Sequence, residues 1–161
     1  MRIDQLVLYK MFEKAGVDKH ALYDALREYG PAGAHKHKIY QHEWSWKNPT
    51  RGYCWVVTQF VLQCVETPNN VYAYKLPVDK LPIAGEPKEH WYLKSSDGDW
   101  IDLTAEQFGD NWSKIDYSRG EPTRKGKKDD RVVTPSKLYR EALSKVKGEA
   151  SNGVTAPEAE R

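Results

Sequence analysis

The spacing of apolar residues changes period along this chain, and the changes mark its elements. Ile3, Leu6, Val7, Met11 and Phe12 recur at helical steps up to Ala15, and Gly16 supplies a stop. Asp18 is placed to cap a second helix over Lys19 to Tyr29, with Leu22, Ala25, Leu26 and Tyr29 on one stripe and Gly30-Pro31 closing it. Together they predict an N-terminal helical hairpin. A third helix starts at Cys54: Val57, Val61 and Val65, with Thr58 and Leu62, share a face, Gln59, Gln63 and Glu66 fall largely elsewhere, and Pro68 ends it.

Beyond Pro68 the pattern turns to strands. Val71 to Leu76 is rich in aromatic and branched residues, and Glu89 to Lys94 and Asp99 to Leu103 flank SSDG as a hairpin. Pro77, Pro82 and Pro87 punctuate the loop between. Thr104 to Gly109 reads as a short capped turn or helix, and Trp112 to Asp130 as a polar stretch whose TRKGKKDDR is a mobile loop. Thr134-Pro135 opens a C-terminal helix with Leu138, Ala142, Leu143 and Val146 on one face and Gly148 as its stop. The predicted fold class is α+β: a single domain over residues 1–148, in which a cysteine-bearing helix packs on a small antiparallel sheet, followed by a disordered tail, 149–161.

Composition narrows the function classes. At 161 residues one core suffices, and a net charge of +2 is too small and scattered to point to nucleic acid. The start lacks the apolar core of a signal peptide, and no run is long enough to span a membrane, so a cytoplasmic location is expected. Cys54 and Cys64, on one helix, would lie about 15 Å apart, beyond the roughly 7 Å that a disulfide bridges. His35, His37 and His42 cluster near a loop, but without acidic or cysteine partners at ligand spacing and with Lys36 and Lys38 beside them no metal site is expected.

The candidate chemistry centres on Cys54. A thiol in the first turn of a helix meets unpaired N–H groups and the positive end of the dipole, which favours thiolate; a small buried core residue is the competing reading. A nucleophilic thiol needs a base and an orienting group, and His90 and Asp102, on neighbouring strands, are the candidates. A strict two-residue turn at Asp97-Gly98 would aim them apart, whereas an odd loop, three residues centred on Ser96 or five ending at a left-handed Gly98, would set them directly opposite. The backbone N–H of Cys54 and the side chain of Asn48 could serve an oxyanion, although Asn48 before Pro49 also suits turn initiation.

Cys54 at a helix start, His90 on a strand and Asp102 on the next, in HWYLKSSDGDWIDLT, resemble the corresponding regions of the transglutaminase-like and papain-like cysteine hydrolase superfamily. Within it, KNPTRGYCWVVTQFVLQ, HWYLKSSDGDWIDLTAEQF and TPSKLYREALSKV are similar to the YunG-like family of small bacterial and phage-type proteins, over about Trp44 to Val146. The resemblance implies a papain-like/transglutaminase-like core with Cys54 as nucleophile, His90 as base and acid, Asp102 as orienter and Asn48 as oxyanion donor. It also implies a peptide, protein or small amide substrate and no cofactor, in a bacterial or phage-encoded protein. Trp44, Trp46, Tyr53, Trp55, Trp91 and Trp100 could then wall a cleft, with Trp46, Tyr53, Trp55 and Trp91 as substrate contacts, or simply fill the core.

Two classes of function remain open at this level. One is a thiol-dependent hydrolase or acyltransferase working on an amide, ester or isopeptide bond. The other is a non-catalytic binding or inhibitory module that keeps the fold and meets a protein partner through aromatic residues and the basic loop 124–128.

Overall fold

The computed structural model describes residues 2–30, 44–65, 71–80, 89–124 and 130–155; His35, His37, His42 and most of the basic loop lie outside them. Helix α1, Gln5–Ala15, is capped by the Asp4 carboxylate, which accepts from the Leu6 and Val7 N–H groups, and ends at Gly16 in the left-handed conformation (φ 72°). Helix α2, Lys19–Tyr29, begins with the Asp18 carboxylate accepting from Ala21 N–H. Phe12 and Tyr23 meet edge to face at 6.0 Å, joining the two helices. The buried side of α1 is Leu8, Phe12 and Ala15, while Leu6 and Val7 face outward. Burial of Leu8 and Ala15 in place of Leu6 and Val7 turns the phase from the apolar stripe expected, although Ile3 and Phe12 stay inside.

Helix α3, Cys54–Cys64, is shorter than expected, because Val65 is already extended. Its middle, residues 56–61, is buried on every side, Gln59 as fully as Val57 and Phe60. A helix so enclosed shows no clean stripe. Strands β1 (Val71–Leu76), β2 (His90–Ser95), β3 (Trp100–Ile101) and β4 (Glu121–Pro122) form one antiparallel sheet in the order β3-β2-β1-β4. The last helix, α4, spans Asp130–Thr155 and holds Pro135 within it. It therefore starts one turn ahead of the Thr134-Pro135 signal, and it continues through Gly148.

The sheet separates two apolar clusters. The larger gathers Leu8, Phe12, Leu22, Leu26, Val57, Phe60 and Val61 against Leu93, Ile101 and Leu103, with Val132 and Tyr139 from α4. The smaller joins Leu76 and Tyr92 to Phe108 and Ile115, edged by Tyr74, Trp100, Trp112 and Tyr117. This second cluster gives the polar stretch from Trp112 onward an ordered part; of the expected mobile loop, residues 125–129 lie outside the described ones. A 3-10 helix, Ala105–Lys114, bends at Gly109 (φ 54°), a shorter one covers Tyr117–Arg119, and β4 pairs with Tyr74 and Lys75. Few apolar residues suffice there because nearly all of them are large rings.

Candidate active site

The β2–β3 hairpin decides where His90 points. Ser95 N–H donates to the Asp99 carbonyl at 2.9 Å, and Gly98 takes a left-handed φ of 95°, leaving residues 96–98 as the loop. The count is odd, so His90 and Asp102 share a face. The register, Leu93 opposite Ile101 and Lys94 opposite Trp100, centres the loop on Asp97 rather than Ser96. Continued by one residue, it sets Asp102 opposite Tyr92. His90 therefore meets Asp102 on the diagonal, not directly across, a span within reach of an imidazole and a carboxylate.

That contact is short and dry. His90 Nε2 lies 2.6 Å from Asp102 Oδ2, and both side chains are 1 % exposed. The same carboxylate oxygen accepts from the Tyr117 hydroxyl at 2.6 Å, while Asp102 Oδ1 accepts from the Thr104 N–H at 3.1 Å and the Thr104 hydroxyl at 3.2 Å. Tyr117 Oη in turn accepts from Trp112 Nε1 at 3.0 Å. Phe108 stands edge-on to the His90 ring at 4.7 Å, and Tyr92 stacks beside it at 5.8 Å. A buried carboxylate needs this many donors to remain charged.

With Nε2 committed to Asp102, the free ring nitrogen is Nδ1, which is buried and has no completed hydrogen bond. The Cys54 thiol interacts with this ring. Burial alone would lower the basicity of His90, but the Asp102 charge and hydrogen bond, reinforced by Cys54, push it up to about 10. The ring therefore carries a proton readily at neutral pH. Burial, and after it the charge and hydrogen bond of the same carboxylate, raises the Tyr117 phenol well above its ordinary value.

Cys54 is the first residue of α3, partly exposed, and preceded by Tyr53, whose side chain does not cap the helix. Gly52 enters the helix with φ 85°, a conformation open to glycine, and its N–H donates to Gln107 Oε1 at 3.2 Å. Cys64, at the far end of the helix, is also a free thiol.

The other expected site residues fare unevenly. Asn48 Nδ2 donates to the Gln107 carbonyl at 3.3 Å, while its buried Oδ1 has no partner. Tyr53 is fully buried and donates its hydroxyl to the Gly30 carbonyl, so it anchors α3 to the end of α2 instead of walling a cleft. Trp46 is exposed, but over a groove of 360 Å³ lined by Asp24 and Arg27 of α2 and Leu138 and Glu141 of α4, to which neither Cys54 nor His90 contributes. Trp91 alternates with His90 along β2 and points to the opposite face. Trp55 follows Cys54 in the first turn of α3, with the Arg131 guanidinium 4.5 Å over its ring.

The structure adds Thr104, Gln107, Phe108 and Tyr117, which spacing did not single out. The one trace in the sequence is the series Phe108, Trp112, Ile115, Tyr117 in a stretch otherwise polar. Among the described residues no helix is long and apolar enough to cross a membrane, and no three His, Cys, Asp or Glu side chains gather as metal ligands. Among curated proteins and solved structures, none matches the chain. The sequence profile described as YunG protein matches residues 18–148, from the cap of α2 through the catalytic candidates into α4. The chain belongs to the YunG protein family.

Proposed function

We propose that this protein is a thiol hydrolase or acyltransferase of transglutaminase-like or papain-like type, acting on an amide, ester or isopeptide carbonyl. The observation that carries the reading is the buried 2.6 Å contact between His90 Nε2 and Asp102, which leaves Nδ1 without a hydrogen-bond partner and available to the thiol at the head of α3. The proton of the Cys54 thiol is already held on His90 Nδ1 when sulfur forms its bond to the carbonyl carbon. The carbonyl oxygen becomes an oxyanion, held by the Cys54 backbone N–H and the second N–H of the Asn48 amide. Collapse of that intermediate expels the amine or alcohol, which takes its proton from His90 and leaves a thioester on Cys54. Neutral His90 then removes a proton from water, giving an acid product, or from an amine, giving transfer; the thiolate leaves and recovers its proton. Asp102 holds the ring and balances its charge throughout.

Iodoacetamide labelling across pH, with the modified residue located by mass spectrometry, tests this. Cys54 is expected to alkylate faster than Cys64 at neutral pH, and His90→Ala to remove most of that difference; Cys64→Ser leaves it intact. Slow labelling of Cys54 that ignores the state of residue 90 would defeat the reading and leave the binding module in its place.

A further inference from the structure

The triad is drawn from three separate parts of the chain, and something must keep the cysteine turn in register with the hairpin. Helix packing constrains α3 along its length, but its first residue stands at the end of that contact, after a left-handed glycine. A sulfur displaced by about 1 Å loses much of the benefit of alignment with its base.

We propose that Gln107 is a positioning residue that ties the turn carrying Cys54 to the carboxylate behind His90. The inference rests on Cys54 being the nucleophile. Gln107 Oε1 accepts from Gly52 N–H at 3.2 Å, two residues before the thiol. Its Nε2 donates to the Thr104 hydroxyl at 2.8 Å, and that hydroxyl donates to Asp102 Oδ1 at 3.2 Å. Asp102 Oδ2 holds His90, so hydrogen bonds run unbroken from the cysteine turn through Gln107 and Thr104 to the imidazole that Cys54 would use as its base. The Gln107 backbone carbonyl adds a branch by accepting from Asn48 Nδ2 at 3.3 Å.

The amide orientation is decided by this network. Reversed, the NH2 group would confront Gly52 N–H, donor against donor. Gln107 and Thr104 are 7 % and 2 % exposed, so no water competes freely for these bonds. Glutamine suits the post because it accepts at one end and donates at the other. Glutamate would lose the donor and set a second negative charge against Asp102.

The test uses Gln107→Ala, Thr104→Val and Thr104→Ser in the full chain, with Cys54 alkylation rates measured from pH 5 to 10 and melting temperatures recorded alongside. Gln107→Ala and Thr104→Val are expected to slow alkylation at neutral pH about tenfold, as the loss of one buried alignment bond implies, and to move the pH profile upward. Thr104→Ser, which retains the hydroxyl, restores rate and profile. A role confined to stability lowers the melting temperature and leaves the profile in place. Wild-type profiles in both Gln107→Ala and Thr104→Val, or Thr104→Ser as impaired as Thr104→Val, would overturn the inference while Cys54 remains reactive in the parent. If Gln107→Ala does not fold, the two Thr104 variants decide alone. A parent thiol that labels slowly and independently of His90 removes the nucleophile reading, and the inference with it.

Discussion

On one face of the sheet, Leu93, Ile101 and Leu103 press against the aliphatic and aromatic side chains of α1, α2, α3 and α4; on the other, Tyr92 shares space with Phe108, Trp112 and Tyr117 around His90 and Asp102. The first face is held by burial, which has no direction and depends on volume. The second is held by burial together with hydroxyl, indole and imidazole bonds that each require one partner at one angle. Stability and chemistry thus have different sensitivities in the same small domain. A volume change on the helical face should unsettle the fold and spare the site, whereas removal of a single oxygen on the aromatic face should disturb the site more than the fold.

The widest separation is expected from Phe60→Ala. Phe60 is buried in α3 and meets Tyr139 of α4 edge to face at 5.0 Å; its truncation should cost about 3–5 kcal/mol in chemical denaturation. The folded fraction should still alkylate at Cys54 at the parent rate. A large fall in that rate under native conditions would mean that the two faces are not separable.

The second test concerns His90. Its pKa is raised from 6.5 to about 10 on folding, so protonation binds more tightly in the folded state. That stabilisation is complete below about pH 6.5 and is lost as pH rises toward about 10. Asp102, Cys54 and the phenols of Tyr92 and Tyr117 are the titratable groups around the ring. Denaturation at pH 6 and pH 9.5 should show the parent losing on the order of a few kcal/mol more than His90→Gln over this window. Parallel losses would mean that His90 does not titrate as its surroundings require.

Tyr117→Phe should be milder in stability, about 1.5–3 kcal/mol for one hydrogen bond to a charged group. It strips a donor from Asp102 and an acceptor from Trp112, so the pH dependence of Cys54 labelling should move with it. Gly120→Ala is expected to change labelling the least of the four. Its new methyl carbon would come within 1.6 Å of Tyr92 Oη, pushing that hydroxyl from the Tyr117 carbonyl it bonds at 2.7 Å. A cost of about 1–3 kcal/mol by melting is the expected range for overpacking, with a labelling change only as large as the shift passed on through Tyr117.

Much of the helical face was legible from residues alone. Asp18 and Gly30 bound α2 as predicted, and Cys54 heads its helix, because caps, glycine stops and a helix start act over a few residues. The phase of α1 was not legible: packing against the rest of the core set it, and Leu6 and Val7 turned outward. Nor was the burial of Gln59 or Tyr53, which depends on elements arriving from elsewhere in the chain. Trp46 parted from the cysteine for the same reason, carried to the α2–α4 groove, and Trp91 was turned from His90 by strand alternation.

The aromatic face shows the limit most sharply. The sequence by itself determined that His90 and Asp102 lie twelve residues apart on either side of a Gly98 turn, and that a two-residue loop would set them apart. The tertiary structure decided that the loop has three residues centred on Asp97, that the pair meets on a diagonal, and that Thr104, Gln107 and Tyr117 converge on it. Those bonds join residues whose local preferences are for turns and solvent. Their partners are specified only when the 105–114 segment folds back over the sheet and water is excluded, which raises the cost of every unpaired polar atom left inside.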